Sequence, residues 1–536
     1  MGCTTLPVPP SSEVGSVVSL DLAALGIAMK TTKALELADI QGLILSGYGT
    51  KPAARYAMFE IISEAHARAW LRHMIPRLQF GSYRGTRRRE PPYLGDLCYN
   101  LAFTHAGLRA LGLHETALAG FALPFQEGMA EQSRARRLGD DGPSAPANWR
   151  WGRPEEPVHG LLAVFAGDGN ADAEDWVSIQ ELITAELCSA HGLRAITVLD
   201  TVASDRSHRK EHFGFRDGIA NPRLSGLPRE RTDGIVAAGE FLLGYDNAYD
   251  QLPLSPEVPI SADPHGILSE AEAPSGASRR DFGRNGSYLV FRQLVQHVQA
   301  FWEFIERARP TVPEAPPGRA GREWLAAKLV GRWPNGTPLA LFPDAPGPTS
   351  EQDKDSFTYG QSGDSFGDHC PIGAHIRRTN PRDTALPVPH DPELSGDPAE
   401  AAVRAERLAL SNRHRLLRRG RAYGPPVDDD FDLDALRTQV GAEERGLHFL
   451  CFNANLSRQF EFVQSNWLQN PAFAGMSSDP DPLLGADRQA PFRASDFTIQ
   501  GCPARRVRNL PRFVETRGGA YFFMPSRRAL EFLSRK

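Results

Sequence analysis

The first half of the chain alternates short apolar runs, typical of buried strands, with stretches whose apolar residues recur every three or four positions, as in amphipathic helices. The strand-like runs cover residues 56–62, 99–103, 161–165 and 195–202. Helical periodicity follows the first run, where Ser63 can cap a helix, and it returns between the third and fourth runs. The order β-α-β-β-α-β predicts an α+β fold built on a ferredoxin-like unit, an antiparallel sheet with helices.

The second half of the chain repeats the beginning of the first. A Tyr, a Phe and a Trp spaced by 3 and then 11 positions occur twice, as Tyr56, Phe59 and Trp70 and as Tyr288, Phe291 and Trp302. Both triplets run from a strand pattern into a helix pattern, so we predict two copies of the unit. The next strand of the second copy is expected at 447–452, after about 140 residues, and a connection of that length indicates a functional insertion.

Length suggests how the chain divides into domains. A chain of 536 residues exceeds what one hydrophobic core usually supports, so two domains are expected. We predict a mobile tail at 1–34, an N-terminal domain at 35–225 and a C-terminal domain at 226–536. Within the N-terminal domain, a stretch rich in Pro, Gly and Arg at 133–157 is predicted to be a loop.

Composition excludes several classes of protein. The net charge of −5 offers no basic field for a nucleic acid. Six scattered cysteines without a C-x-x-C motif argue against a disulfide framework or a structural zinc site, and they fit a reducing compartment. The sequence shows neither a secretory signal pattern nor an apolar run long enough to span a bilayer. We therefore expect a cytoplasmic protein without nucleic-acid or membrane partners, and composition leaves its oligomeric state open.

One stretch combines a histidine with a cluster of arginines. Residues 370–383 read C-P-I-G-A-H-I-R-R-T-N-P-R-D, so three arginines follow His375 closely. A neutral imidazole is a common haem iron ligand, and haem propionates need cationic partners. The stretch therefore suits a haem site, and it equally suits a surface histidine in a basic loop.

Two further stretches carry candidate chemistry. Residues 416–425, L-L-R-R-G-R-A-Y-G-P, fit a helix end with Gly420 as its cap. At 212–222, H-F-G-F-R-D-G-I-A-N-P places Asp217 between two glycines, whose backbone freedom would let a cofactor approach the main chain. Asp and Gly also form ordinary turns, so neither stretch is specific by itself.

Taken together, these stretches resemble the dye-decolorizing peroxidases. The resemblance rests on G-F-R-D-G-I-A-N-P at 214–222, C-P-I-G-A-H-I-R-R-T-N-P-R at 370–382 and R-R-G-R-A-Y-G-P at 418–425. Shorter matches support it: D-I-Q-G at 39–42, N-G-S-Y-L-V-F-R at 285–292, G-R-W-P-N-G-T-P-L at 331–339, F-E-F-V-Q-S-N-W at 460–467 and G-G-A-Y-F-F-M-P-S at 518–526. The segments follow the family order from about residue 39 to the C-terminus.

The resemblance implies two ferredoxin-like domains with one haem b in the C-terminal domain, which reduces hydrogen peroxide while dyes, phenols or similar donors are oxidised. By position, His375 would be the iron ligand, Asp217 the distal acid/base and Arg418 the distal cation. Arg419 is the substitute for Arg418, because the interval from His375 to Arg418 is longer than in compact members. The residues implied to lie against the porphyrin or its propionates are Gly218, Ile219, Ala220, Asn380, Pro381, Arg382 and Arg418.

An aspartate in the acid/base role has a consequence for pH dependence. The unperturbed pKa of Asp is about 3.9, against about 6.5 for the histidine that serves other peroxidases. We therefore predict a peroxide step that favours acidic conditions. Spacing does not identify the acceptor for the second ring nitrogen of His375. The aromatic residues that could relay electrons, and that would equally suit a core, are Trp324, Trp333, Trp467 and Tyr521.

Two alternatives remain. His208, Glu211 and His212 form H-x-x-E-H, a zinc peptidase signature that requires both histidines on one face of a continuous helix. The surrounding residues look like a strand followed by Phe-Gly, which fits that helix poorly. The other alternative is a non-catalytic haem carrier on the same fold, which would keep His375 but would have no use for Asp217 and Arg418 together.

Overall fold

The fold is described from a computed structural model. The structure describes residues 34–49, 51, 53–81, 97–166, 173–201, 210–227, 234–272, 278–348, 354–384, 398–427, 433, 444–485 and 495–535. Residues 1–33 of the predicted tail lie outside this part of the chain. The division predicted at 225/226 stays a prediction.

Within the described residues, nine strands form one sheet, and the first four of them belong to the first half of the chain. These are β1 (Ala53–Ile61), β2 (Cys98–Phe103), β3 (Gly160–Ala166) and β4 (Leu193–Asp200). They pair antiparallel in the order β2-β3-β1-β4. The helices Glu64–Met74 and Ala173–Glu186 follow β1 and β3. This is the predicted ferredoxin-like order, and the α+β class is confirmed.

The second half builds the same order from five strands. These are β5 (Ser287–Gln296), β6 (Leu417–Arg418), β7 (Arg421–Tyr423), β8 (Gly446–Asn453) and β9 (Val514–Met524). The short strands β6 and β7 share one neighbour, β8, which pairs with β5, and β5 pairs with β9. The helix Val298–Ala308 follows β5, and the π-helical segments Ser457–Glu461 and Val463–Leu468 follow β8. One pair of residues, Phe103 and Phe523, links β2 to β9 and so joins the two halves.

Each repeated aromatic triplet runs from the first strand of its half into the following helix, as predicted, but corresponding members face different cores: Tyr56 clusters with Phe291, and Phe59 clusters with Tyr288. Tyr56 lies on β1 and Phe291 on β5, each the second strand from the end of its half in the pairing order. Alternate residues of a strand face opposite sides of the sheet, so Tyr56 and Phe59 face different cores. The rings of Tyr56 and Phe291 meet edge to face with their centroids 5.1 Å apart. The two halves therefore share one apolar core on this side of the sheet.

Three predictions of local structure are wrong. Residues 416–425 do not end a helix at Gly420; they form β6 and β7, because Leu417 is buried against the sheet and the backbone pairs with β8. The strand predicted at 447–452 exists as β8, but it is not the next strand after β5, because the short strands β6 and β7 precede it. The loop predicted at 133–157 contains the helix Gln132–Leu138, whose first turn Glu131 caps through the N–H groups of Ser133 and Arg134.

The other described helices cover the sheet or build the insertions of the second half. They are Gly42–Leu45, His105–Ala110, Glu115–Gly120, Leu123–Glu127, Gly318–Val330, His375–Thr379, Pro398–Asn412 and Arg527–Arg535. A separate hairpin pairs Ser495–Ile499 with Arg505–Leu510. Across the described ranges, no helix has the length and apolarity needed to cross a membrane.

Candidate active site

A cavity in the second half of the chain brings together the three residues predicted to carry the chemistry. His375, Asp217 and Arg418 all line it. Four of the residues predicted to contact a porphyrin line it as well: Ile219, Ala220, Asn380 and Arg382. The remaining two, Gly218 and Pro381, are the immediate chain neighbours of lining residues. Asp217 and Arg418, which are 201 positions apart in the sequence, therefore meet at one site.

The turn that carries Asp217 depends on its two glycines. Gly214 and Gly218 have φ angles of 95° and 78°, a backbone region that other residues rarely adopt. The N–H of Gly218 donates to Oδ1 of Asp217 at 2.6 Å, and Nη2 of Arg418 lies 3.2 Å from the same oxygen. The Asp217 side chain is 52% exposed and that of Arg418 is 32% exposed. The pair is thus held together in the cavity wall and still open to a ligand.

Arg418 owes its position to the edge strand β6. Its backbone N–H donates to Oδ1 of Asn221 at 3.1 Å, and Nδ2 of Asn221 donates to its carbonyl at 3.3 Å. The Asp217 turn is therefore fastened to the strand that presents the guanidinium. Arg419 points elsewhere, because its guanidinium donates to the carbonyls of Leu43 and Ile44 at 3.0 and 2.9 Å.

His375 begins a short helix, and a buried carboxylate holds its ring. Nδ1 lies 2.9 Å from Oδ2 of Asp481, whose side chain has no exposed surface. Because an ionised carboxylate only accepts hydrogen bonds, Nδ1 donates and Nε2 keeps its lone pair. The N–H groups of Leu483 and Leu484 donate to Oδ1 of Asp481 at 3.0 and 2.8 Å and fix the carboxylate in turn.

This pair changes the pKa of both partners. Burial alone would lower the pKa of His375, but the charge of Asp481 and its hydrogen bond outweigh burial and raise it. Burial alone would raise the pKa of Asp481, but His375 and Arg378 outweigh burial and lower it. A carboxylate behind an imidazole is the arrangement that orients histidine metal ligands and strengthens them as electron donors.

Three guanidinium groups give one side of the cavity a positive charge. Arg332, Arg382 and Arg415 line it, and Asp355 is the carboxylate beside them, 2.5 Å from Arg382 and 3.8 Å from Arg332. Arg415 donates to the carbonyl of Ala220 at 2.8 Å. Burial, with the positive charge of Arg382 as a further cause, lowers the pKa of Arg332 and Arg415 to about 10, so both stay cationic at neutral pH. The excess of cations suits a ligand that carries carboxylates.

The walls of the cavity suit a haem. One imidazole nitrogen is available for a metal, the cations match a pair of propionates, and both amide atoms of the Asn380 side chain lack a hydrogen-bond partner among the described residues. The apolar part of the wall would contact a flat ring; it includes Ile219, Leu416, Phe460, Val463, Leu468 and Leu483. Across the described part of the chain, no cluster of three or more His, Cys, Asp or Glu side chains could hold a metal ion by itself.

Several site residues were not predicted from the sequence: Asp481, Arg332, Arg415 and Glu211. Arg332 lies inside one of the family segments named above and Arg415 shortly before another, so both could have been suspected from position. Asp481 follows Pro480 in a D-P-D-P stretch, 106 positions from His375, and no spacing rule selects it.

The zinc peptidase alternative does not fit the structure. Glu211 and His212 lie in a turn, and His208 lies outside the described residues. Nε2 of His212 is hydrogen-bonded to the carbonyl of Tyr423 at 2.8 Å, while the Glu211 carboxylate accepts backbone N–H groups of its own turn. Of the candidate relay residues, Trp333, Trp467 and Tyr521 are buried, and Trp324 packs at the edge of the core.

Known proteins share both the sequence and the fold of this chain. A protein-family model described as the DyP dimeric alpha+beta barrel domain matches residues 39–197. Peroxidase 2 of Mycetinis scorodonius is 29% identical over 523 residues, which cover 93% of this chain and 87% of the relative. The multifunctional dye peroxidase DyP2 of an Amycolatopsis species is 33% identical over 324 residues, 59% of each chain.

A solved structure gives the same result. The crystal structure of a decolorizing peroxidase from Auricularia auricula-judae superposes with a TM-score of 0.70 at 26% identity, covering 93% of this chain and all of the other. The fold, the sequence and the residues that line the cavity all agree with this family. The family model, the curated relatives and the solved structures all indicate a DyP-type peroxidase, and the enzymes of this family are haem-dependent and use hydrogen peroxide and a reductant.

Proposed function

We propose that the chain binds one haem b through His375 and uses Asp217 and Arg418 to cleave hydrogen peroxide, with dyes, phenols or similar one-electron donors as reductants. The observation that supports this most is the ion pair of Asp217 and Arg418 in the same cavity as an imidazole backed by Asp481. A haem held there would supply an iron for peroxide and oxidising equivalents for the donor. The guanidiniums of Arg382 and Arg415 would hold its propionates.

The protein's own groups supply the proton transfers. Ionised Asp217 accepts the first peroxide proton and then returns it to the oxygen that leaves, so one group serves as base and as acid. Arg418 offers its N–H groups to the negative charge that develops as the O–O bond lengthens, and a preorganised cation can lower such a barrier by several kcal/mol. The hydrogen bond from Gly218 and the contact with Arg418 fix the carboxylate before peroxide arrives.

The Asp217→Asn variant tests this proposal directly. An amide keeps the shape but cannot accept a proton, so we expect a peroxide step slower by about 10² or more, with haem content unchanged. Stopped-flow mixing with hydrogen peroxide, followed at the Soret band, measures the step. Arg419→Gln is the matched control, because Arg419 points to the carbonyls of Leu43 and Ile44. Peroxide cleavage at the wild-type rate in Asp217→Asn would remove Asp217 from the mechanism.

The alternative of a non-catalytic haem carrier predicts a different result. A carrier needs His375 and the propionate partners but gains nothing from a carboxylate and a guanidinium paired across the open cavity. Haem-loaded protein that left hydrogen peroxide intact at both acidic and neutral pH would favour the carrier.

A further inference from the structure

The turn before Asp217 is built around a second carboxylate, that of Glu211. The N–H groups of Phe213 and Phe215 donate to its two oxygens, each at 2.9 Å, and the side-chain amide of Gln296 donates to Oε2. The backbone of the turn closes on the same residue, because the N–H of Glu211 donates to the carbonyl of Phe215 at 3.0 Å and its carbonyl accepts from Gly214 at 2.8 Å. Glu211 is thus the centre of this turn.

Glu211 also ties the turn to the half of the chain that holds Arg418 and His375. Gln296 ends strand β5, and the neighbouring His212 donates to the carbonyl of Tyr423 on β7 at 2.8 Å. Two adjacent residues therefore fasten the turn to two different strands of the second half. Asp217 lies only two residues after Phe215, so its position relative to Arg418 depends on these contacts.

We propose that Glu211 is a positioning residue for Asp217, whose carboxylate holds the Asp217 turn against β5 and so aims Asp217 at Arg418. This inference rests on the proposed role of Asp217. A carboxylate is the side chain that suits the place, because both of its oxygens face donors. A glutamine there would turn an NH₂ group toward an N–H and leave a buried donor without an acceptor, which typically costs about 1–3 kcal/mol.

The stability of the protein gives no reason for a carboxylate at this place. Burial, with the charge of Asp217 as a further cause, raises the pKa of Glu211 from 4.5 to about 7. The ionised form therefore destabilises the folded state above neutral pH, although three hydrogen bonds partly offset the burial. Side chains that cost stability and satisfy a local geometry are typical of functional sites.

A double-mutant cycle distinguishes positioning from general stability. The variants are Glu211→Gln, Asp217→Asn and the double substitution, and the measured quantities are haem content and the rate of the peroxide step by stopped flow. We expect Glu211→Gln to slow the step by about 10-fold to 10²-fold with haem content retained. The double variant should be within about 2-fold of Asp217→Asn alone, because Glu211 acts through a group that is already absent.

Glu240→Gln is the matched control. Glu240 is a fully buried glutamate paired with Arg458 at 2.6 Å, away from the cavity wall, so we expect the peroxide step to change less than about 2-fold.

A second variant, Gln296→Met, tests the proposal if Glu211→Gln does not take up haem. It removes the hydrogen bond from Gln296 to Glu211 and leaves the carboxylate in place. We expect it to slow the peroxide step by about 2-fold to 10-fold, and to cause no further slowing when Asp217→Asn is already present.

The outcomes separate the two proposals. The positioning role alone would be overturned by either of two results. In the first, Glu211→Gln slows the peroxide step of the Asp217→Asn variant by the same factor as that of the wild type. In the second, Glu211→Gln and Gln296→Met both have the wild-type rate. A wild-type peroxide step in Asp217→Asn would overturn the proposed function and this inference with it.

Discussion

The two halves of the sheet have the same strand order, and yet the cavity with His375 belongs to the second. The difference lies in two connections. Residues 75–97 join the first helix to β2, whereas residues 309–416 join its counterpart to β6. Likewise, residues 187–192 precede β4, whereas residues 469–513 precede β9. His375 lies in one long connection and Asp481 in the other, so the repeated unit is a scaffold and the insertions carry the proposed iron ligand and its carboxylate partner.

The first half contributes residues 138–140 and 144 to the cavity wall, and it contributes the candidate acid through the turn that comes after β4. Asp217 and Glu211 lie in this part of the chain, and they reach the cavity because the turn is fastened to β5, β6 and β7. A duplicated fold therefore becomes an active site when one copy gains insertions and the other supplies a turn. Substitutions at equivalent places in the two halves test this division of roles.

The largest expected effect is on turnover and haem content, and it is expected for a histidine of the second half but not for one of the first. His375→Ala should lower the rate of peroxidase turnover by a factor of about 10³ or more, because the iron loses its protein ligand. His105→Ala in the first half removes a ring that packs on Phe121 and Phe125 and should leave haem content unchanged. The absorbance ratio of the Soret band to protein, with steady-state dye oxidation, measures both. Equal haem retention in the two variants would contradict the division between the halves.

The repeated tryptophans give the next largest effect. Trp70→Ala and Trp302→Ala should each destabilise the protein by about 3–5 kcal/mol, since both rings are buried on the helix that follows the first strand of their half. Trp302 belongs to the apolar cluster that contains Phe213 and Phe215 of the cavity wall, whereas Trp70 does not. We therefore expect Trp302→Ala alone to weaken haem retention at a temperature where both variants are folded. Thermal unfolding and haem transfer to an excess of apomyoglobin measure the two quantities.

Much of the fold could be predicted from the sequence because the strands of the first half are continuous apolar runs with alternating faces. The edge strand of the second half escaped prediction for a physical reason. Residues 416–425 contain several arginines, and only Leu417 and Tyr423 are buried, so the stretch lacks the apolar pattern of a strand. Its pairing is set by β8, which lies more than twenty residues further along the chain.

The residues of the candidate site likewise fall into those that could be predicted from the sequence and those that could not. Asp217, His375 and Arg418 could be predicted because the family motifs carry them in short, dense stretches. Asp481 could not be predicted, because its role arises only when two insertions of the second half meet. Glu211 was noticed for a different chemistry: the H-x-x-E-H pattern is real, but Glu211 and His212 lie in a turn and not on the continuous helix that the zinc signature requires, and the carboxylate accepts backbone N–H groups.

Glu211 should also make the free energy of unfolding depend on pH. Its pKa in the folded protein is about 7, against 4.5 ordinarily, so folding favours the protonated acid. The contribution is fully present below about pH 4.5 and is lost as the pH rises to about 7, by at most about 3 kcal/mol. Between pH 5 and pH 8, the thermal midpoint should fall less in Glu211→Gln than in the wild type. A parallel fall in both proteins would mean that Glu211 does not titrate in this range.

The smallest expected effect tests the second insertion, and it uses two aspartates that are two positions apart. Asp481→Asn removes the negative charge behind His375 but keeps the side-chain shape. We expect haem affinity or turnover to fall by about 10-fold to 10²-fold, the scale typical of groups that orient a metal-bound histidine. The reduction potential of the bound iron should rise, because a charge that stabilises the oxidised metal is lost.

Asp479→Asn is the control for that prediction. Asp479 is as buried as Asp481, but the two carboxylates have different partners. That of Asp479 lies 3.5 Å from Arg506, whereas that of Asp481 accepts a hydrogen bond from Nδ1 of His375. The control should alter stability and leave the reduction potential where it is. If the two variants shifted the potential equally, the effect would come from buried charge in general. The hydrogen bond of Asp481 to His375 would then not be the feature that distinguishes the second half of the molecule from the first.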